Sequence, residues 1–197
     1  MAVLDVLVYP NPLLKQVSEQ VNDIDDAIKQ LIADLVETLD HYPGCVGVAA
    51  PQTGNLKRII VIDASRNRKP VPNHGRHVLI NPVIEWQEGE ETAREGCLSL
   101  PDFTANVKRS KSIRCRALNP QGEEVVIETS DFEARVILHE CDHLNGVLFL
   151  DRVSSLKTDV FRRKRYQAPE AARAAAESDL PVPGKTPGKT PEGSESR

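Results

Sequence analysis

The sequence predicts an α+β domain, with mixed, mostly antiparallel sheets packed around one central metal-binding helix. Three observations predict it. The stretch SDFEARVILHECDHLN (130–145) has helical apolar spacing and carries His139, Glu140 and His143 as HExxH. Short Val- and Ile-rich segments bounded by turn residues read as strands. An amphipathic repeat over 25–42 supplies a second helix that packs on the core.

Taken in order, 3–8 is short and apolar and is stopped by Pro10 and Pro12, giving an extended lead-in. Ile28, Leu31, Ile32, Leu35, Val36 and Leu39 then repeat at helical spacing until Pro43 and Gly44 end the pattern. The next stretch, CVGVAAPQ (45–52), is small and uncharged, which lets backbone come close to something. RIIVID (58–63) and the segment 77–86 read as strands joined by a polar surface loop. His74 and His77 fall in or beside that loop; with no acidic or cysteine partner, they are expected to be surface histidines without function. SIRCRAL (112–118) and EVVIET (124–129) flank a turn at 119–122 and form a hairpin, in which Cys115 is a small core residue. The helix at 130–145 opens on a capping box of Ser130 with Glu133, and Gly146 can end it.

Beyond Asp151 the chain turns basic, and from Ala168 an alanine-rich stretch gives way to DLPVPGKTPGKTPEGSESR. Such a composition buries too little apolar area to offset ordering, so the catalytic domain is expected over 1–166 and a disordered tail over 167–197. The repeated GKT is not a phosphate loop. Neither copy has glycine five residues earlier, and proline precedes both.

The HExxH spacing has a specific chemical meaning. At 3.6 residues per turn, His139 and His143 return to within about 40° of one face, one turn apart, where both reach a single ion. Glu140 then lies beside the ion, where a carboxylate takes a proton from metal-bound water. Cys141 and Asp142 do not share this role: Cys141 is turned about 200° away, and Asp142 is expected to be structural. Two imidazoles leave a catalytic site one protein ligand short. After Gly146 the chain has neither the downstream glutamate of thermolysin-like enzymes nor the third histidine of metzincins. What stands out lies upstream in REGCLSLP (94–101), where Cys97 sits between Gly96 and Leu98.

EGCLS (95–99) and HECDH (139–143) resemble the second and third motifs of the bacterial peptide deformylases, and VGVAAPQ (46–52) resembles the first. The likeness extends through VLDVLVYPNPLLKQVS (3–18), RIIVID (58–63) and LFLDRVSSLK (148–157). Three motifs in order are far more specific than HExxH alone. Cys45 is a departure, standing where the first motif usually has glycine.

The resemblance implies hydrolysis of the N-formyl group from the N-formylmethionyl end of new polypeptides, releasing formate. It implies that Cys97, His139 and His143 hold one divalent ion with water in the fourth position, and that Glu140 carries the proton. The Gln52 amide and the Leu98 main-chain N–H would stabilise charge on the formyl oxygen. Val46, Gly47 and Val48 would offer main chain to an extended peptide. Phe132 and Val136, seven and three residues before His139, would form an apolar wall for an unbranched side chain such as methionine. Glu95 is expected to pair with Arg109. Thiolate and imidazole suit iron, zinc, nickel or cobalt over magnesium or calcium; the resemblance selects Fe2+ in the cell, with Zn2+, Ni2+ or Co2+ in purified protein. The rival readings are another metallohydrolase, such as an aminopeptidase, and a non-catalytic metal-stabilised binding module.

Composition bounds the partners. The 197-residue chain has a formal net charge of -4, which argues against a general grip on nucleic acid. A ribosome contact through the basic run at 162–165 stays open. No leader pattern or membrane-length apolar run is present, so a cytoplasmic location is expected. Four cysteines without CxxC spacing fit neither a disulfide framework nor a structural zinc knuckle.

Overall fold

In a computed structural model of the chain, residues 2–163 are described. The expected tail at 167–197, the domain boundary at 166 and the end of the 162–165 run lie outside them. In chain order the regular elements are α1 (Asp26–His41), β1 (Gly47–Ala49), β2 (Ile59–Asp63), β3 (Arg76–Glu88), β4 (Glu91–Cys97), β5 (Leu100–Arg109), β6 (Ser112–Leu118), β7 (Glu124–Ser130), α2 (Asp131–Leu144) and β8 (Val160–Arg162). One sheet runs β1-β2-β3-β6-β7 and the other β4-β5-β8, and their ladders are antiparallel. The expected fold class is borne out.

Strand β2 explains how the two helices are arranged. All five of its residues are buried, so it has a core on each face. Successive strand side chains point to opposite faces. Ile60 and Ile62 therefore join Ala134, Ile137, Cys141 and Leu144 of α2, while Ile59 and Val61 join Ile32, Leu35 and Leu39 of α1. The helices lie on opposite faces of the larger sheet. On α1 the cap is Asp25, whose carboxylate accepts from the Ile28 N–H at 2.8 Å. On α2, eleven of fourteen residues are buried, so it is a core helix enclosed by both sheets. A third cluster, including Leu14, Leu100, Val107 and Phe149, fills the space under the smaller sheet and surrounds Cys97.

Two local expectations fail for one reason. Ser130 makes no capping hydrogen bond; its hydroxyl lies 3.1 Å from Asp131 Oδ2. Glu133 is fully buried and turns away from the helix end to accept from Thr129 Oγ1 at 2.8 Å and the His74 N–H at 2.8 Å. The His74 ring also meets it, with Nδ1 2.7 Å from Oε2. So His74 has an acidic partner 59 residues away in sequence and pins its loop to α2. A carboxylate with three partners inside the protein gains more than one serving a cap.

The strand readings at 58–63, 77–86, 112–118 and 124–129 correspond to β2, β3, β6 and β7. The sequence reading missed the β4–β5 hairpin, the short β1 and β8. Helix α2 ends as expected, with Asn145 as its cap and Gly146 at φ +67°. At Gly146 a Cβ would come within 2.5 Å of the Lys15 carbonyl oxygen. Gly146→Ala therefore combines a left-handed backbone cost of about 1–2 kcal/mol with a backbone collision. The expected result is a melting temperature lower by roughly 4–12 °C in a thermal scan; an unchanged value would show that the loop relaxes without cost.

Candidate metal centre and its cavity

The centre forms where the end of β4 meets the middle of α2. Along the β4–β5 hairpin Gly96 pairs with Thr104 but Cys97 pairs with Leu100, and this register shift re-aims Cys97 toward α2. Helix α2 presents His139 and His143 one turn apart, their ring centroids separated by 5.1 Å. Ligand atoms of Cys97, His139 and His143 all lie within 4.8 Å of one another, and Cys97 Sγ is 3.2 Å from His143 Nε2. Bonds of ~2.3 Å to sulfur and ~2.0 Å to nitrogen in a tetrahedron give an edge of about 3.5 Å. The spacing and the donor set fit a tetrahedral ion with one position left for a small ligand.

Glu95 orients this donor set. Its Oε2 lies 2.9 Å from His139 Nδ1, so the ring N–H points at the carboxylate and Nε2 is left for the ion. The expected Glu95–Arg109 ion pair is present and two-pronged, at 2.6 and 2.9 Å. Arg135 adds a third cationic contact at 2.8 Å and also donates to the main-chain oxygens of Val107 and Glu91. Burial pushes the Glu95 carboxyl up, but the His139 and Arg109 hydrogen bonds outweigh it and hold the pKa down to about 2. Arg109 continues to Asp142 at 2.7 Å, where Arg152 also binds at 2.8 Å. Asp142 thus has the structural role expected of it.

The Cys97 thiol is shifted toward its charged form. Burial raises its pKa, but the charge and hydrogen bonds of His143 and His139 lower it well below the ordinary thiol range. The Gln52 amide is aimed by its own oxygen: Oε1 accepts from the Ala49 N–H at 2.9 Å, so Nε2 faces Ser99 Oγ at 3.1 Å and Cys97 Sγ at 3.3 Å. Glu140 is buried with Oε2 lacking a partner among the described residues, and burial pushes its carboxyl up to about 7. It packs so closely on β1 that a Cβ at Gly47 would strike the carboxylate.

These groups open into a cavity of about 840 Å³, whose walls include Val46, Gly47, Gln52, Leu98, Phe132, Val136 and Glu140. Strand β1 is an edge strand. The Val46 carbonyl accepts from the Asp63 N–H at 2.8 Å, so the alternation of an antiparallel ladder turns the Gly47 main-chain groups away from β2. Val48 differs. Its side chain is in the core with α1, and its main chain pairs back to Val61, which leaves the cavity face to Val46 and Gly47. Cys45 also lines the cavity, and its thiol donates to the Gly47 carbonyl at 3.1 Å. Burial pushes that thiol up to about 12, so it stays protonated and does not resemble the Cys97 thiolate. Cys115 and Cys141 sit in the core cluster of α2, away from the donor set.

Sequence reasoning passed over Ser99 and Arg135. Ser99 lay inside the EGCLS motif without an assigned task. Arg135 could have been found, because it is one turn before His139 on the same helix face as the two histidines, and a charge buried there needs a partner. Cys97→Ala removes the thiolate and leaves two imidazoles. Metal analysis of that variant is expected to give far below one ion per chain while the wild type holds one; a stoichiometric ion in the variant would place the third ligand elsewhere.

Comparison with known proteins agrees with this geometry. The model of one protein family, polypeptide deformylase, matches residues 3–159. A peptide deformylase of Thermodesulfovibrio yellowstonii is 42% identical over 164 residues, covering 83% of this chain and 97% of that protein. Peptide deformylase 1 of Vibrio vulnificus is 45% identical over 165 residues, covering 83% and 94%. The crystal structure of peptide deformylase from Thermotoga maritima superposes with a TM-score of 0.71 at 37% identity, covering 79% of this chain and 100% of that one. That from Synechococcus elongatus in complex with actinonin gives 0.70 at 36% identity, covering 78% and 80%. A family match over most of the chain, with relatives of similar length, leads to one conclusion: the chain belongs to the polypeptide deformylase family.

Proposed function

We propose that this metal-dependent hydrolase removes the formyl group from N-formylmethionyl peptides and nascent chains through the residues converging on the α2 cavity. The observation that carries the reading is the meeting of three ligand-type atoms, two of them from the cavity-lining Cys97 and His139, with the buried Glu140 carboxylate in the same wall. Cys97, His139 and His143 would hold the divalent ion. Bound there, the ion supplies a Lewis acid toward water and toward the formyl carbonyl. Thiolate and imidazole donors favour Fe2+, with Zn2+, Ni2+ or Co2+ as substitutes.

The protein side of the reaction is a proton transfer and an oriented charge. Glu140 takes the proton from the attacking water, whose oxygen bonds to the formyl carbon. A carboxyl raised to about 7 is well matched to accepting and returning that proton near neutral pH. The Gln52 Nε2–H and the Leu98 main-chain N–H donate to the formyl oxygen as negative charge gathers on it. Glu140 then gives the proton to the leaving nitrogen, the C–N bond breaks, and formate departs. Phe132 and Val136 receive the methionine side chain, and the Gly47 main-chain N–H, turned away from β2, pairs with the extended peptide while Val46 lines the wall beside it. We assign this catalytic unit to 1–166, give the 167–197 tail no part in the chemistry, and assign the enzyme to the cytoplasm beside the ribosome, with basic residues from 162 on as the contact.

Formate release from formyl-Met-Ala-Ser, measured beside amine release from Met-Ala-Ser, tests the reading. Turnover of the formylated peptide alone is expected; cleavage of the free-amine peptide alone would make the protein an aminopeptidase. Glu140→Gln should keep the ion and lose roughly 10²-fold or more in rate. Activity within a few-fold of wild type would remove Glu140 from the mechanism.

A further inference from the structure

The loop between β2 and β3 is anchored at both ends to elements that line the cavity. At its start Arg66 donates from Nε to the Cys45 carbonyl at 2.8 Å and from Nη2 to the Leu39 carbonyl at 3.1 Å, which ties it to the end of α1 and to the lead-in of β1. At its far end the His74 N–H and ring meet the Glu133 carboxylate at 2.8 and 2.7 Å. Asn67 and Arg68, between these anchors, line the cavity, as do Cys45, to which Arg66 is tied, and Phe132, which precedes Glu133. His74 is held for its task by an Asx turn, in which Asn73 Oδ1 accepts from the Gly75 N–H at 2.9 Å.

The first turn of α2 depends on the His74 anchor. It begins at Asp131 with φ +57°, a left-handed backbone that a residue other than glycine keeps only where its surroundings impose it. Ser130 supplies no cap. The turn is imposed instead by the Asp131 N–H, bonded to the Lys111 carbonyl at 2.7 Å, and by the buried Glu133 carboxylate with Thr129 and His74 as its partners. Phe132 lies between these two tethered residues, packed in part on the core and in part open to the cavity. The backbone on either side of it sets where its ring stands.

We propose that His74, acting through Glu133, is a positioning residue for methionine recognition: the tie fixes the first turn of α2, and with it the Phe132 wall, and so sets the preference for formyl-methionyl over shorter formyl-aminoacyl ends. The inference rests on the deformylase reading above, in which Phe132 receives the methionine side chain. The His74 side chain is 53% exposed while that of Glu133 is 0%, so the ring can be removed without emptying the core. Its effect falls on the binding of one substrate side chain and not on the proton transfer at Glu140. A contact made equally in the bound substrate and in the transition state changes KM and leaves kcat.

The test is kcat and KM for formyl-Met-Ala-Ser and formyl-Ala-Ala-Ser, measured well below the melting temperature of each variant. The alanyl peptide has no side chain to reach Phe132, so it reports whether the rest of the site is intact. His74→Ala should raise KM for the methionyl peptide by about 5- to 10-fold, with its kcat and both constants for the alanyl peptide within about 2-fold of wild type. His74→Asn sets an amide N–H where Nδ1 stood and should restore most of the preference. Phe132→Ala should lower the preference by itself, and His74→Ala added to it should lower it no further, because both act through one ring. A preference unmoved by His74→Ala, equal losses on both peptides, no recovery in His74→Asn, or additive losses in the double variant would overturn the inference and leave the deformylase reading standing. Failure of the wild type to release formate from the methionyl peptide would instead overturn that reading itself.

Discussion

The buried carboxylate of Glu95 is the constraint on which the rest of the site depends. It receives two N–H groups of Arg109, one of Arg135 and the ring N–H of His139. Burying one carboxylate among cations is costly unless its lone pairs are filled, and here they are filled from the neighbouring strand and a helix. Glu95 and Arg109 belong to the β4–β5 hairpin, while Arg135 and His139 belong to α2. The same contacts that offset desolvation therefore lock the Cys97 loop to the helix that carries both histidines. Losing one partner from such a network costs about 3–5 kcal/mol, because the remaining charges stay buried.

Around that lock the fold divides its tasks. The larger sheet has α1 on one face and α2 on the other, so the chemistry-bearing helix is held from behind by a packed core. The smaller sheet closes over α2 from the other side and carries Cys97. The cavity lies between, with an edge strand of each sheet contributing a glycine, Gly47 and Gly96. A Cβ at the first would strike Glu140 and at the second Arg163, so small residues here set how closely the working side chains approach the substrate path. Cys45 brings a thiol to the same place, and its bond to the Gly47 carbonyl occupies an acceptor that an extended peptide would otherwise use.

The sequence made some features legible because local pattern and tertiary role coincide there. HExxH specifies its own geometry through helical periodicity; β2 and β7 read correctly because they are rich in β-branched residues, and β6 because it alternates apolar with polar side chains. The β4 strand, ETAREGC, was not legible as a strand: it has two glutamates, an arginine and a glycine, and its partners are Glu95's cations and β5 rather than a hydrophobic face. Strand β8 was hidden in a basic run for the same reason. Glu133 with Ser130 looked like a cap, but its partner His74 lies in a distant loop, and no short-range pattern announces a pair 59 residues apart. Val48 looked like part of a binding stretch, whereas strand alternation turns it into the α1 core.

The account holds that Glu95 acts on the ion through the groups it orients. The most direct test is competitive metal titration of Glu95→Gln against wild type, with a thermal scan of both. The amide keeps the shape but removes the charge that holds the His139 tautomer and pairs Arg109 and Arg135. The account predicts metal affinity weaker by about 10–100-fold and a lower melting temperature. Wild-type affinity in a variant that melts as the wild type does would contradict it.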